Sequence, residues 1–214
     1  VLAHMADEQT LIKAFKEDQD IHTITGKEIF EKDDINSNER RIAKAVNFGI
    51  IYGQSAWGLS DDLGITQKEA DTFINRYYKR FSGISTFMDS IIEQAKDKGY
   101  VETMFNRRRY IPEVKSRIYQ QRELGKRTAM NAPLQGSAAD IIKIAMVNIA
   151  KALEKEKLKT KMILQIHDEL VFTVPNEEAE QATKLIKKVM EEACDLKVPL
   201  TVSLATGANL DEAK

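Results

Sequence analysis

The sequence predicts an α+β protein, helix-rich over most of its length and closing on a small antiparallel β-sheet. Two patterns carry that prediction: apolar residues recur at three- and four-residue spacing as far as about Lys155, and two β-prone runs, an amphipathic segment and a third β-prone run follow. At 214 residues, 43% apolar and 30% charged, the chain can build one substantial core or two small ones. A formal net charge of -1 argues against a uniformly basic nucleic-acid binder, so any basic surface must be local. Cys194 is the single cysteine, which excludes a disulfide framework and a cysteine-based zinc site and suits a reducing cytosol. No run reaches the roughly 20 apolar residues of a membrane span, and no signal-peptide pattern opens the chain. The reading is cytoplasmic, with no membrane partner.

"VLAHMADEQTLIKAF" is periodic from its first residues, with Leu2, Met5, Leu11, Ile12 and Phe15 at helical spacing and neither a cap nor an initiator Met, which suits a chain cut from a longer protein. A polar link with a break at Gly26 is expected next. Asn36, Ser37 or Asn38 can then cap a helix with Glu39 in its first turn, and Thr66 with Glu69 forms a capping box for another. A helix over Ile84–Lys98 ends at Gly99. "YVETMFNRRRYIPEV" reads as a short hairpin or a basic loop. Two helices, about 116–130 and 137–155, are expected to be broken at Pro133 and Gly136. Met162–Ile166 and Leu170–Val174 form a hairpin, Glu177–Leu196 an amphipathic helix, and "LTVSLATG" a final strand.

The stretch Arg40–Gly53, "RRIAKAVNFGIIYG", carries the first candidate site. At about 100° per residue, Arg40, Lys44, Phe48 and Tyr52 advance by roughly 40° a step, while Ile42, Ala45, Val46, Gly49, Ile50 and Gly53 gather on the opposite side. A solvated face with two half-buried rings would produce this pattern. The order of the stripe favours more: cations near a helix N-terminus suit phosphates, and flat rings further along suit a sugar and a base.

"QIHDEL" carries the second. Successive strand carboxylates point to opposite faces, so Asp168 and Glu169 need a turn to converge; a solvated acidic turn is the plainer alternative. The strongly apolar flanking strands suggest a rigid buried support for a magnesium site at Asp168, with His167 free to hydrogen-bond a phosphate or terminal hydroxyl. A third tract gathers Arg107, Arg108, Arg109, Arg117, Arg122, Lys126 and Arg127, a local positive surface of the kind that tracks a phosphate backbone, unless these are simply solvated charges. Beside it Asn131 and Gln135 are amides able to reach base edges in a minor groove.

Together these residues resemble a known family. R-R-x-A-K-x-x-N-F-G-x-x-Y-G at Arg40–Gly53 resembles motif B of the family A DNA polymerases, "QIHDE" resembles their motif C, and "RRRYIPE" and "RTAMNAPLQGSAADIIKIAM" are similar to further stretches of that family. The resemblance implies template-directed DNA synthesis from deoxynucleoside triphosphates on primer-template DNA, with two Mg²⁺ ions. It implies a fingers subdomain over roughly 1–115, with its nucleotide helix at about 37–53, and the C-terminal part of a palm over 116–214, with the motif C hairpin at 161–175. By the same resemblance Arg40 and Lys44 bind the triphosphate, Lys44 also protonating the leaving pyrophosphate. Phe48 stacks on the incoming nucleotide and implies discrimination against dideoxynucleotides, and Tyr52 takes the template-side position in the open state. Arg127, Asn131 and Gln135 hold primer and template, His167 contacts the primer terminus, Asp168 is the metal-binding catalytic carboxylate and Glu169 supports it.

The family's motif A, with its first catalytic aspartate, would lie just before "VLAHMADE". The expectation is therefore a fragment without the motif A strand, thumb or exonuclease domains, inactive alone because Asp168 lacks a partner carboxylate. Two rival readings remain: a non-catalytic nucleic-acid-binding or assembly module, and a metal-dependent nuclease or phosphohydrolase using Asp168 and Glu169. No phosphate-loop or H-E-x-x-H motif supports simple nucleotide hydrolysis.

Overall fold

In the computed structural model, which describes residues 1–213, the chain divides into two compact units, Val1–Ser137 and Ala138 onward. The first is built from helices α1 (Leu2–Met5), α2 (Gln9–Lys16), α3 (Ile21–Phe30), α4 (Ser37–Ile51), α5 (Ala56–Leu63), α6 (Gln67–Arg80) and α7 (Ser82–Lys98), the antiparallel pair β1 (Tyr100–Glu102) and β2 (Arg108–Tyr110), and the first part of α8 (Tyr119–Lys155). The second contains the rest of α8, the hairpin β3 (Lys161–Ile166) and β4 (Glu169–Thr173), and α9 (Ala179–Glu191).

Local chemistry sets most helix ends. Asn36 and Glu39 exchange side-chain and backbone bonds in a full capping box at α4, and Thr66 and Glu69 do the same at α6. Gly99, at φ 79°, supplies the left-handed residue that closes α7. The opening run is two helices rather than one, because the buried Glu8 caps α2 through Thr10 N and also accepts from Gly83 N at 2.9 Å.

Four further expectations are corrected. The polar link at Gly26 is helix α3, in which Gly26 lies buried against Ile35. The break at Pro133 does not occur: α8 runs unbroken for 37 residues with Pro133 inside it. Proline removes one helical bond, but Pro133 is fully buried in a stretch where Met130, Ala132 and Leu134 are buried too, and tertiary packing overrides the local preference. Gly136 serves close approach rather than breakage, since a Cβ there would stand 2.6 Å from Thr103 Cγ2. The "LTVSLATG" segment forms no strand. A strand needs a ladder, and here Val202 N donates to the Glu191 carboxylate at 3.1 Å. Finally, the support of the β3–β4 hairpin is one-sided. Leu170 and Phe172 pack with Ile149, Leu153, Ala182 and Ile186, but Ile163, Leu164 and Ile166 of β3 are exposed, Ile163 at 56%.

The core of the first unit joins Ile91 and Ala95 of α7 to Val101, Ile111 and Val114 and to Ala129 and Ala132 of α8. This fixes the stretch of α8 that faces the end of α4. Among the described residues no helix is long and apolar enough to cross a membrane.

Candidate active site

On α4 the sequence pattern becomes two faces. Ala43, Val46, Asn47, Gly49 and Ile50 are buried, whereas Phe48 and Tyr52 are 44% and 48% exposed. Lys44 Nζ lies 6.0 Å from the centroid of the Phe48 ring, and the Phe48 and Tyr52 rings stack at 6.4 Å with planes 13° apart. Arg40, Lys44, Phe48 and Tyr52 therefore form one continuous cationic-to-aromatic face. The α4 N-terminus itself is already occupied: the Asn36 side chain accepts from Glu39 N, and Glu39 also pairs with Lys32. An anion on this face would accordingly be held by side chains rather than by helix N–H groups.

Helix α3 adds residues that the sequence reading passed over. Arg40 Nε donates to Asp20 Oδ2 at 2.5 Å, and the guanidinium holds the Asp20 carboxyl down to about 2. His22 sits 6.0 Å from Phe48, ring to ring, and its Nδ1 meets Asn47 Nδ2 at 3.0 Å. Burial pushes His22 below its usual value, with Arg40 and Lys44 acting in the same direction and Asp20 opposing them. The Asn47 amide nitrogen makes that bond as a donor, so it calls for an unprotonated Nδ1, in keeping with the lowered value. Thr25 Oγ1 donates to Asn47 Oδ1 at 3.1 Å, completing a polar link between two buried helix faces. An Asp and a Thr at the start of an unrecognised helix were the available signal, since Asp20 is its N-cap, accepting from His22 N at 3.0 Å.

The far end of α4 is gripped by α8. Gly53, at φ 65°, leaves room for Arg127, whose Cγ would be 3.1 Å from a Cβ at that position. Asn131 Nδ2 donates to Tyr52 O at 3.2 Å and to Arg127 O at 3.0 Å, while its Oδ1 is buried without a hydrogen-bond partner. Because α8 is unbroken, the four-residue spacing of Arg127, Asn131 and Gln135 makes them one stripe, with Gln135 exposed. Much of the remaining basic tract is already engaged: Arg108 pairs with Glu102 and stacks on Tyr100, Lys126 pairs with Glu123, and Arg122 lies over Tyr119.

In the second unit, Ile166 pairs with Glu169, leaving His167 and Asp168 as a two-residue turn. His167 adopts φ 52°, a conformation that costs about 1 kcal/mol and is found where the surroundings impose it. Gln165 Nε2 donates to His167 O at 3.1 Å and braces the turn. Asp168 and Glu169 are exposed. Among the described residues, no group of three or more His, Cys, Asp or Glu side chains converges to hold a metal. Asp168 is an exposed hard oxygen donor of the kind that divalent cations take.

The exposed face of α4, running from cations to stacked rings, and the carboxylate presented at the β3–β4 turn are the two candidate sites, one in each unit. Comparison with known proteins gives the family. The profile of DNA polymerase family A matches residues 1–212, and the chain belongs to that family. It is 52% identical over 216 residues to DNA polymerase I of Bacillus subtilis (strain 168), covering 100% of this chain and 24% of that protein. It is 51% identical over 217 residues to DNA polymerase I of Streptococcus pneumoniae serotype 4, covering 100% of this chain and 25% of that one. The chain thus spans about a quarter of the length of the curated relatives it matches. A solved structure described as the POL domain of Pol1 from M. smegmatis in complex with DNA primer-template and dNTP superposes with a TM-score of 0.94 at 39% identity, over 99% of this chain and 38% of that one.

Proposed function

We propose that this chain supplies the nucleotide-binding helix and one metal-binding carboxylate for template-directed DNA synthesis, the transfer of a deoxynucleotide from a dNTP to a primer 3′-hydroxyl. The observation that carries the reading is the continuous face of α4, in a chain of family A whose solved neighbour is described with primer-template and dNTP. Residues 1–115 are assigned mainly to fingers and 116–214 to palm.

Arg40 and Lys44 bind the triphosphate as two fixed cations, and Lys44 is the group placed to give a proton to the departing pyrophosphate. Phe48 offers its exposed ring to the sugar and base of the nucleotide, and Tyr52, stacked on it, occupies the template side until α4 moves. Without a hydroxyl, Phe48 cannot replace a missing 3′-hydroxyl contact, which favours rejection of dideoxynucleotides. Arg127, Asn131 and Gln135 contact primer and template along α8. In the second unit His167 holds the primer terminus, Asp168 ligates the metal, and Glu169 supports it. Two Mg²⁺ ions, when bound, would activate the 3′-hydroxyl and neutralise charge on the leaving group.

We further propose that the chain alone does not catalyse synthesis, because one aspartate with a neighbouring glutamate is too few ligands for a two-metal site; the lack of a larger acidic cluster among the described residues supports this. The same observation favours a second reading of the isolated chain as a nucleic-acid-binding module.

Primer extension tests both statements. The 214-residue chain is assayed alone and as a chimera in which it replaces the matching quarter of the Bacillus subtilis polymerase, each beside Asp168→Ala. Synthesis by the chimera alone, abolished by Asp168→Ala, is expected. Extension by the isolated chain would overturn its proposed inactivity, and full synthesis by the Asp168→Ala chimera would overturn the metal role.

A further inference from the structure

The Asp20–Arg40 pair joins two helices, and its geometry differs from that of a competing ion pair. Arg40 engages Asp20 through Nε, and its guanidinium has no other hydrogen-bond partner among the described residues. A carboxylate that sequestered the guanidinium would take two parallel N–H bonds. A single bond through Nε instead leaves the Nη groups for another anion. Asp20 is in turn immobilised from its own side: Oδ1 accepts from His22 N at 3.0 Å and Oδ2 from Thr23 Oγ1 at 2.8 Å, both at the N-cap of α3. Helix α3 is tied to α4 by the buried Thr25–Asn47 bond and by the His22–Asn47 bond. The anchor for Arg40 is therefore part of the fold rather than a loose surface contact.

We propose that Asp20 is a positioning residue for nucleotide binding: it fixes the Arg40 guanidinium by its Nε edge so that the Nη N–H groups are available to the triphosphate before it arrives. This inference rests on the proposed role of Arg40. Its physical basis is pre-organisation. A long side chain 49% exposed to solvent would otherwise lose its rotamer freedom only on binding, and the ligand would bear that cost. Ordinary surface ion pairs contribute little to stability, so the effect of this one is expected in binding rather than in folding.

The test is equilibrium titration of dATP with magnesium into the chain, comparing Asp20→Ser, Asp20→Asn, Arg40→Ala and the two double variants Asp20→Ser/Arg40→Ala and Asp20→Asn/Arg40→Ala. Serine and asparagine both cap helices as well as aspartate does, so α3 retains its N-cap. Serine is too short to reach Arg40, whereas asparagine keeps a neutral acceptor. Asp20→Ser is expected to weaken binding by roughly 2- to 13-fold, the range for one immobilised flexible side chain. Asp20→Asn should fall between it and the parent, and adding Asp20→Ser to Arg40→Ala should change nothing further. In the chimera the loss should appear in KM for the nucleotide with kcat nearly preserved.

Unchanged or tighter binding by Asp20→Ser, in a protein where Arg40→Ala weakens binding, overturns the proposal. If Arg40→Ala itself has no effect, the nucleotide role of Arg40 fails instead. Amide exchange of α3 is followed in parallel. If Asp20→Ser loosens the helix, Asp20→Asn decides, and additivity of Asp20→Asn with Arg40→Ala counts against positioning.

Discussion

Replacing Asn47 with alanine should loosen the seam between α3 and α4 well beyond the effect of an average substitution. Asn47 is 5% exposed and its amide bonds both Thr25 Oγ1, fully buried, and His22 Nδ1. Deleting it strands the Thr25 hydroxyl without a partner, which costs about 1–3 kcal/mol, and removes a second bond worth about 0.5–1.5 kcal/mol. The sum is about 1.5–4.5 kcal/mol, or roughly 0.8–2.3 M in urea midpoint at a slope of about 2 kcal/mol per M. Trp57 is the only tryptophan and lies in α5 of the first unit, so its fluorescence reports that unit. Adding Thr25→Val to Asn47→Ala removes the stranded hydroxyl and should restore about half of the loss, because deleting both partners costs less than deleting one. A midpoint shift under about 0.3 M for Asn47→Ala at unchanged slope would refute the assignment of this bond pair as the tie between the helices.

Acid should weaken the same seam. The folded value of His22 lies below that of the unfolded chain, so the unfolded state takes the proton first as pH falls; its contribution is intact above about 6.5 and is lost as pH drops through the folded value. Urea midpoints by Trp57 fluorescence between pH 7.5 and 5 should fall, and His22→Gln should flatten that dependence. Gly136→Ala should destabilise the first unit although alanine is the better helix former, because the new Cβ meets Thr103 Cγ2 at 2.6 Å. Adding Thr103→Ser removes that methyl while keeping the hydroxyl that accepts from Phe105 N and Arg107 N, and thermal melts should show the double variant no less stable than Thr103→Ser alone.

Features that rest on local periodicity and capping are readable from the residues alone. Asn36 with Glu39 and Thr66 with Glu69 start α4 and α6, Gly99 ends α7, and the four-residue steps of Arg40, Lys44, Phe48 and Tyr52 already define one helical face. The hairpin with Asp168 in its turn was legible for the same reason, since two β-prone runs flank a polar junction. Tertiary structure decided what depends on neighbours distant in sequence. Pro133 stays inside α8 because the core holds it there, and only that continuity aligns Arg127, Asn131 and Gln135. The C-terminal β-prone run is not a strand because no ladder receives it. Helix α3 was hidden because its period is weak and Gly26 sits in its middle, yet that glycine is where Ile35 packs. With α3 went Asp20 and His22: the cap formed by Asp20 is a local signal, but the bonds to Arg40 and Asn47, 20 and 25 residues away, are not.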